Sequence, residues 1–240
     1  MILLLATAAL AVDADAVLER IAAVSEHRSL RNAQHAPSFS EDDYRRAADG
    51  RVVTGVMPVD GHKAKVGYGL AVLDVGVEAL WGGINSELHH GELVPISHVE
   101  LVGGSECADG RKVLMVLPLP WIKDRYWVNE NAYNAPLAAA TAGSVRELSW
   151  SSVADPNAET MTPAGRDAID GLVAVGFNRG AWLLIGLDAG HTLVEYHSWV
   201  DPGGSVPLGP ASLFATSGIE DTFEAMERYA SGTPFCGGAQ

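Results

Sequence analysis

The sequence predicts an α+β fold, a curved antiparallel sheet closed by a long C-terminal helix. Three observations carry that expectation. Apolar residues recur at helical spacing near both ends of the chain and once between. Strand-like alternation fills most of the stretch from Arg51 to Val200. No Pro-, Ser- or charge-rich linker divides the 240 residues, so one domain is expected.

The elements follow in order. Residues 13 to 28 read as a helix, with Val17, Leu18, Ile21, Ala22 and Val24 on one stripe and Asp13 placed to cap it. A polar loop follows, with a short helix ending at Gly50. RVVTGVMPV and HKAKVGYGLAVLD read as two strands around a DGH turn. Val77, Leu80, Trp81 and Ile84 then share a helical face, with Asp74 as a candidate cap. SELHHGELVP reads as a solvated connection. ISHVELVG, RKVLMVLPLPW, RYWVNENAY and GSVRELSWSSV read as strands, and residues 154 to 168 as loop. Three further strands are expected between Gly171 and Val200, punctuated by turns at NRG and DAG. A helix from about Pro207 to Ala230 presents a stripe of small and apolar residues that includes Ala211, Ala215, Gly218, Ile219, Thr222, Met226 and Tyr229. A curved sheet under one long helix needs something to fill it; where side chains do not, a ligand can.

Composition narrows the functions. Apolar residues make up 48% and charged residues 19%, as in an ordinary globular protein. A net charge of −14 argues against nucleic acid and against electrostatic docking on anionic lipid. The Ala/Gly/Val/Asp-rich composition suggests a bacterial source. Residues 1–11, MILLLATAALA, form a short apolar run ending in a small-x-small site and read as a signal peptide, although no Lys or Arg precedes the run. The expected location is therefore the periplasm or cell envelope, or the cytoplasm if the signal is not genuine. Cys107 and Cys236 are either a disulfide closing a loop of about 130 residues or two unpaired thiols. Such a bond would pin residues 232–240, which otherwise read as a flexible tail.

No catalytic residue is assigned. Glu87, His89, His90 and Glu92 have metal-binding side chains but sit in a Gly-containing loop without a fourth partner, so no metal is expected. No phosphate loop or nucleophile elbow occurs. No cofactor is assigned.

One stretch is unusual. In PWIKDRYWV, residues 120–128, charged groups sit among tryptophans, and buried charge is costly unless paired or hydrogen-bonded. If residues 125–133 form a strand, Arg125, Trp127, Asn129, Asn131 and Tyr133 share one face. That mixed row suits a pocket with a few placed polar groups.

Lys123-Asp124-Arg125-Tyr126-Trp127-Val128 after a proline-containing strand end is similar to a family pattern. So is Thr192 to Tyr196 running into Asp201-Pro202-Gly203-Gly204-Ser205-Val206-Pro207. Together with the order of elements over residues 13–231, they make the chain resemble a START domain, the steroidogenic acute regulatory protein-related lipid transfer domain of the helix-grip superfamily. The resemblance implies a hydrophobic cavity between sheet and C-terminal helix that holds one lipid, and loops beside that helix that act as a gate. Sterols, phospholipids and ceramide are ligands of the family.

By the resemblance Arg125 reaches into the cavity. Sterol-binding relatives pair this arginine with an acidic residue on the preceding strand. Here Arg111 to Leu117 carries none, and Glu195 is the partner considered. Trp127, Asn129, Tyr133, Tyr196, Trp199, Trp81, Ala215, Ile219 and Thr222 are the other expected lining residues. The expected function is non-enzymatic lipid carriage, with a sterol favoured and a phospholipid as the alternative. A monomer in transient contact with a membrane is expected. A polyketide cyclase or aromatase is the enzymatic alternative, with Arg125, Tyr196 and His197 as its candidates.

Overall fold

The computed structural model describes residues 12–90, 95–120, 122–153, 160–204 and 218–236. The expected signal segment, Glu92 and Ala215 lie outside them. So does the stretch 205–217, on which the first half of the expected last helix falls.

Nine strands form one sheet in the order β1-β2-β9-β8-β6-β5-β4-β3, and β7 pairs with β5. They are β1 (Val53–Met57), β2 (Val66–Leu73), β3 (His98–Gly103), β4 (Lys112–Leu117), β5 (Arg125–Tyr133), β6 (Val145–Ser152), β7 (Val173–Ala174), β8 (Phe177–Gly186) and β9 (Thr192–Asp201). Apart from the parallel β5–β7 pair, all pairings are antiparallel. The β8–β9 hairpin turns at the DAG sequence, where Asp188 accepts from the backbone N–H groups of Gly190 and His191.

The six α-helices of the described residues are α1 (Ala14–Val24), α2 (Glu41–Ala48), α3 (Val77–Ile84), α4 (Ala135–Ala140), α5 (Pro163–Ile169) and α6 (Ile219–Ala230). Asp13 caps α1 as expected. Ser40 and Asp43 form a reciprocal capping box on α2. Asp74 does not cap α3; the N-cap is Gly76, which offers no side-chain bond, and the helix begins at Val77.

Two expectations fail locally. Asn178-Arg179-Gly180 is not a turn but the start of β8. Gly180 is small because a Cβ there would meet the Trp150 indole and the His197 carbonyl oxygen. Residues 163–169, expected as loop, form α5, with Thr162 accepting from Gly165 N–H and Pro163 at the first position.

Strand alternation sorts the core into two layers. Val17, Val24, Tyr44 and Ala47 of α1 and α2 pack on Leu70, Leu183, Ile185 and Leu193 of the outer face. The other face meets α3 and α6, where Leu80, Ile84, Phe223 and Met226 pack with Leu184 and Val194.

A polar network stands on the outer face. Buried Glu195 accepts from Arg28, from Arg31 at 3.1 Å and from Tyr44 Oη at 3.0 Å. Buried Glu147 accepts from Arg31 Nε, Asn32 N–H and Asn134 Nδ2. Glu195 is therefore not the partner of Arg125; alternation sends it to the opposite side of the sheet.

Candidate functional site: a cavity under the last helix

Beside the α3–α6 core, the inner face stands clear of α6 and leaves a cavity of about 1110 Å³. Alternation decides which side chains reach it. β5 contributes Arg125, Trp127, Asn129 and Asn131; β6 contributes Leu148 and Trp150. Asn178 and Trp182 come from β8, and Tyr196, Ser198 and Val200 from β9. Ile219, Thr222 and Met226 close it from α6. Tyr196 is half-buried, and desolvation pushes its phenol pKa up.

Arg125 lines the cavity and is 5% exposed. Its guanidinium is turned to backbone: Nε donates to Pro202 O at 2.6 Å, Nη1 to Lys123 O, and Nη2 lies 3.5 Å from Gly203 O. It thus braces the segment after β9. Asp124 is engaged elsewhere, accepting from Leu119 N–H at 2.9 Å. Buried charge here is met by carbonyl dipoles.

Three expected lining residues stand elsewhere. Tyr133 has the right alternation but lies past the cavity's end, edge-on to Trp81 at 4.8 Å between ring centres. Its hydroxyl donates to Cys107 O and accepts from Arg111. Trp81 lies beneath the Arg146 guanidinium and packs against the α3–α6 core. Trp199 points to the outer face, three residues from Tyr196 and so of opposite alternation. It packs on His35, His62 and Phe177 and donates to Ala64 O. His197 lies on that face too, with Nε2 3.2 Å from Gln34 O.

The connection expected to be solvated instead builds part of the wall. Glu87 and His90 are buried and line the cavity. Glu87 accepts from Arg111 Nε at 2.7 Å, from Arg111 Nη2 at 2.9 Å and from Asn131 Nδ2 at 2.8 Å. Burial raises its carboxyl pKa, and the Arg111 charge partly offsets that rise. Arg111 is 1% exposed and also reaches Asn85 and Ala108 O. No periodic signal marks a loop residue as buried, so sequence reasoning missed Glu87. Trp150 and Asn178 were findable, since each follows from the alternation of its own strand. Among the described residues no group of three or more His, Cys, Asp or Glu is placed to hold a metal.

Cys107 and Cys236 are bonded to each other across 129 residues. The bond holds the chain after α6 beside Ser86, whose hydroxyl accepts from Cys236 N–H at 2.9 Å.

No family model matches the chain, and no curated protein matches it in sequence. Solved structures do match. A STAR-related lipid transfer protein from Xanthomonas axonopodis aligns at 18% identity and a TM-score of 0.59, over 75% of this chain and 93% of that one. Human STARD10 aligns at 14% identity and a TM-score of 0.61, over 85% and 84%. Human StAR-related lipid transfer protein 5 aligns at 14% identity and a TM-score of 0.55, over 92% and 96%. The sheet order, the helix laid across its inner face and these alignments agree: the chain has the START-type helix-grip fold.

Proposed function

We propose that this protein is a non-enzymatic carrier that holds one lipid-sized molecule in the cavity under α6, with sterol-like molecules preferred. The observation that carries the proposal is the cavity itself, about 1110 Å³ between an aromatic sheet wall and α6. Small-molecule sites commonly span about 300–1,000 Å³, so this one suits a large apolar guest. The alignment with lipid transfer domains supports the same reading. A sterol-like body with one polar end suits a wall whose surface is mostly apolar with polar side chains placed among it.

Of the three candidates for acid–base chemistry, Arg125, Tyr196 and His197, only Tyr196 lines the cavity without being turned away: His197 lies on the outer face and Arg125 is turned to backbone carbonyls. The Glu87 carboxylate, also in the wall, is held by Arg111 and Asn131. This favours carriage over cyclase or aromatase chemistry. The disulfide supports an exported location, in line with the expected signal segment. Exposed Ile122 on the cavity rim supports transient membrane contact by a monomer.

Native mass spectrometry of the mature chain, before and after incubation with sterols, phospholipids and sphingolipids, tests the proposal. One retained sterol-mass adduct is expected. Retained phospholipid would keep the carrier and remove the sterol preference. No adduct from a folded sample would remove the carrier.

A further inference from the structure

Trp150 on β6 stands opposite Gly180 on β8 in the ladder. A Cβ at Gly180 would come within 2.3 Å of Trp150 Cζ2 and 2.8 Å of Cε2. The indole is therefore laid across β8, in the space that the glycine leaves. Its Nε1 donates to Asn178 Oδ1 at 3.0 Å, two residues before Gly180 on the same strand. Asn178 is buried, and its own N–H donates to Ser152 Oγ of β6 at 2.9 Å. An indole side chain turns about two bonds only, and contact with β8 plus a bond to a buried amide fixes both.

The neighbouring strand continues the surface. Tyr196 of β9 stands 5.9 Å from Trp150 between ring centres, with 31° between the planes. Trp182 of β8 lies 4.5 Å from Tyr196, and Phe223 of α6 lies 5.8 Å from Trp182. Trp150, Trp182 and Tyr196 all line the cavity, and Trp150 and Tyr196 are only half-buried. Three adjacent strands thus carry one aromatic floor, about 10 Å across at the usual strand spacing. A wall held this way does not re-form around a bent guest. A flat rigid body can lay its whole face on it with little conformational entropy to lose, whereas a flexible chain must first be ordered.

We propose that Trp150, held over Gly180 by Asn178, selects the guest by shape, favouring a flat fused-ring body over a bent or flexible one of similar size. The proposal rests on the carrier reading above and names the residue that sets its preference. The polar end of the guest plays no part in it.

The test uses three apolar alcohols, each with one hydroxyl. Cholestanol and coprostanol have the same atoms and differ at one ring junction, which leaves the first flat and bends the second. Phytol is a flexible branched chain. Affinities are measured by competition against a fluorescent lipid analogue. On wild type, cholestanol should exceed coprostanol by about fivefold, the size of an aromatic contact made by one and missed by the other. Phytol should bind more weakly than cholestanol. Trp150→Leu should bring the ratio of the two sterols toward one by weakening cholestanol and leaving coprostanol nearly unchanged. Asn178→Leu keeps the indole and removes its anchor, and should narrow the same ratio.

Equal affinity for the flat and bent sterols on wild type would overturn the proposal and leave the carrier standing. So would phytol binding more tightly than cholestanol, or retention of phospholipid with none of the three alcohols bound. If Trp150→Leu weakens both sterols equally, the indole only packs, which also overturns it. Failure of every alcohol and every phospholipid to bind folded wild-type chain would remove the carrier reading, and the proposal with it.

Discussion

His197 shows how much one side chain depends on its place. It sits on the outer face among Arg31, Glu147 and Glu195, 2% exposed. Burial, with the Arg31 charge next, lowers its pKa from 6.5 to about 4, and its bond to Gln34 O offsets part of that. The unfolded chain therefore binds a proton near pH 6.5 that the folded chain refuses until about pH 4. The neutral form's contribution is whole above pH 6.5 and is lost as pH falls toward 4, by about 3 kcal/mol at most. Urea denaturation of wild type and His197→Phe at pH 7.5, 6, 5 and 4.5 would read it. The variant should lose less stability on acidification; parallel curves would refute the assignment. Glu195 is a second case. Removing its carboxylate by Glu195→Ala leaves Arg28 without its ion-pair partner and Arg31 with Glu147 alone. The expected loss is about 3–5 kcal/mol in the same urea experiment, and a change below 1 kcal/mol would show that the arginines find other partners.

Strands, helices and the crosslink were legible to different degrees, for physical reasons. Strands with a strict two-residue period were readable, and so was the face of β5, because alternation survives any tertiary context. The error over Trp199 came from naming it beside Tyr196, although three residues along a strand reverse the side. α4 and α5 were missed because six or seven residues give too little periodicity; their caps, Asn134 and Thr162, were the available signals. The early part of β8 was mistaken for a turn because Asn, Arg and Gly have turn-like chemistry, whereas Gly180 is there for the Trp150 indole. Glu87 was hidden because its partner, Arg111, is distant in sequence and no period connects them. The disulfide lay between two open readings, since sequence fixes a cysteine count and not a distance. Its removal by Cys107→Ser with Cys236→Ser should cost about 4 kcal/mol, the scale expected for so long a closed loop. A lower urea midpoint, with a steeper slope because the uncrosslinked unfolded chain exposes more surface, is the expected result; an unchanged midpoint would mean that the crosslink constrains nothing the fold does not already hold.

Taken whole, the molecule is acidic, at −14, yet its few lysines are gathered. Three of the four, Lys63, Lys65 and Lys123, lie at or beside the cavity rim near exposed Ile122. Each lysine near an anionic bilayer is worth about 1 kcal/mol, so the membrane contact proposed above is expected to present this rim, although the net charge of the whole chain opposes docking. Lys63→Glu with Lys65→Glu should slow lipid exchange with vesicles rich in phosphatidylserine severalfold and leave neutral vesicles unaffected. Equal rates on anionic vesicles would show that the rim is not oriented by charge. No helix of the described residues is long and apolar enough to cross a membrane.

The crosslink also bears on how α6 can move. α6 runs from Ile219 at the cavity to Ala230, which is packed in the core, and six residues later Cys236 is tied to the far end of the sheet. A rod fastened at one end cannot lift away evenly. Under the carrier proposal, an opening of α6 is expected to be a swing about the crosslinked end, with Ile219 moving more than Ala230.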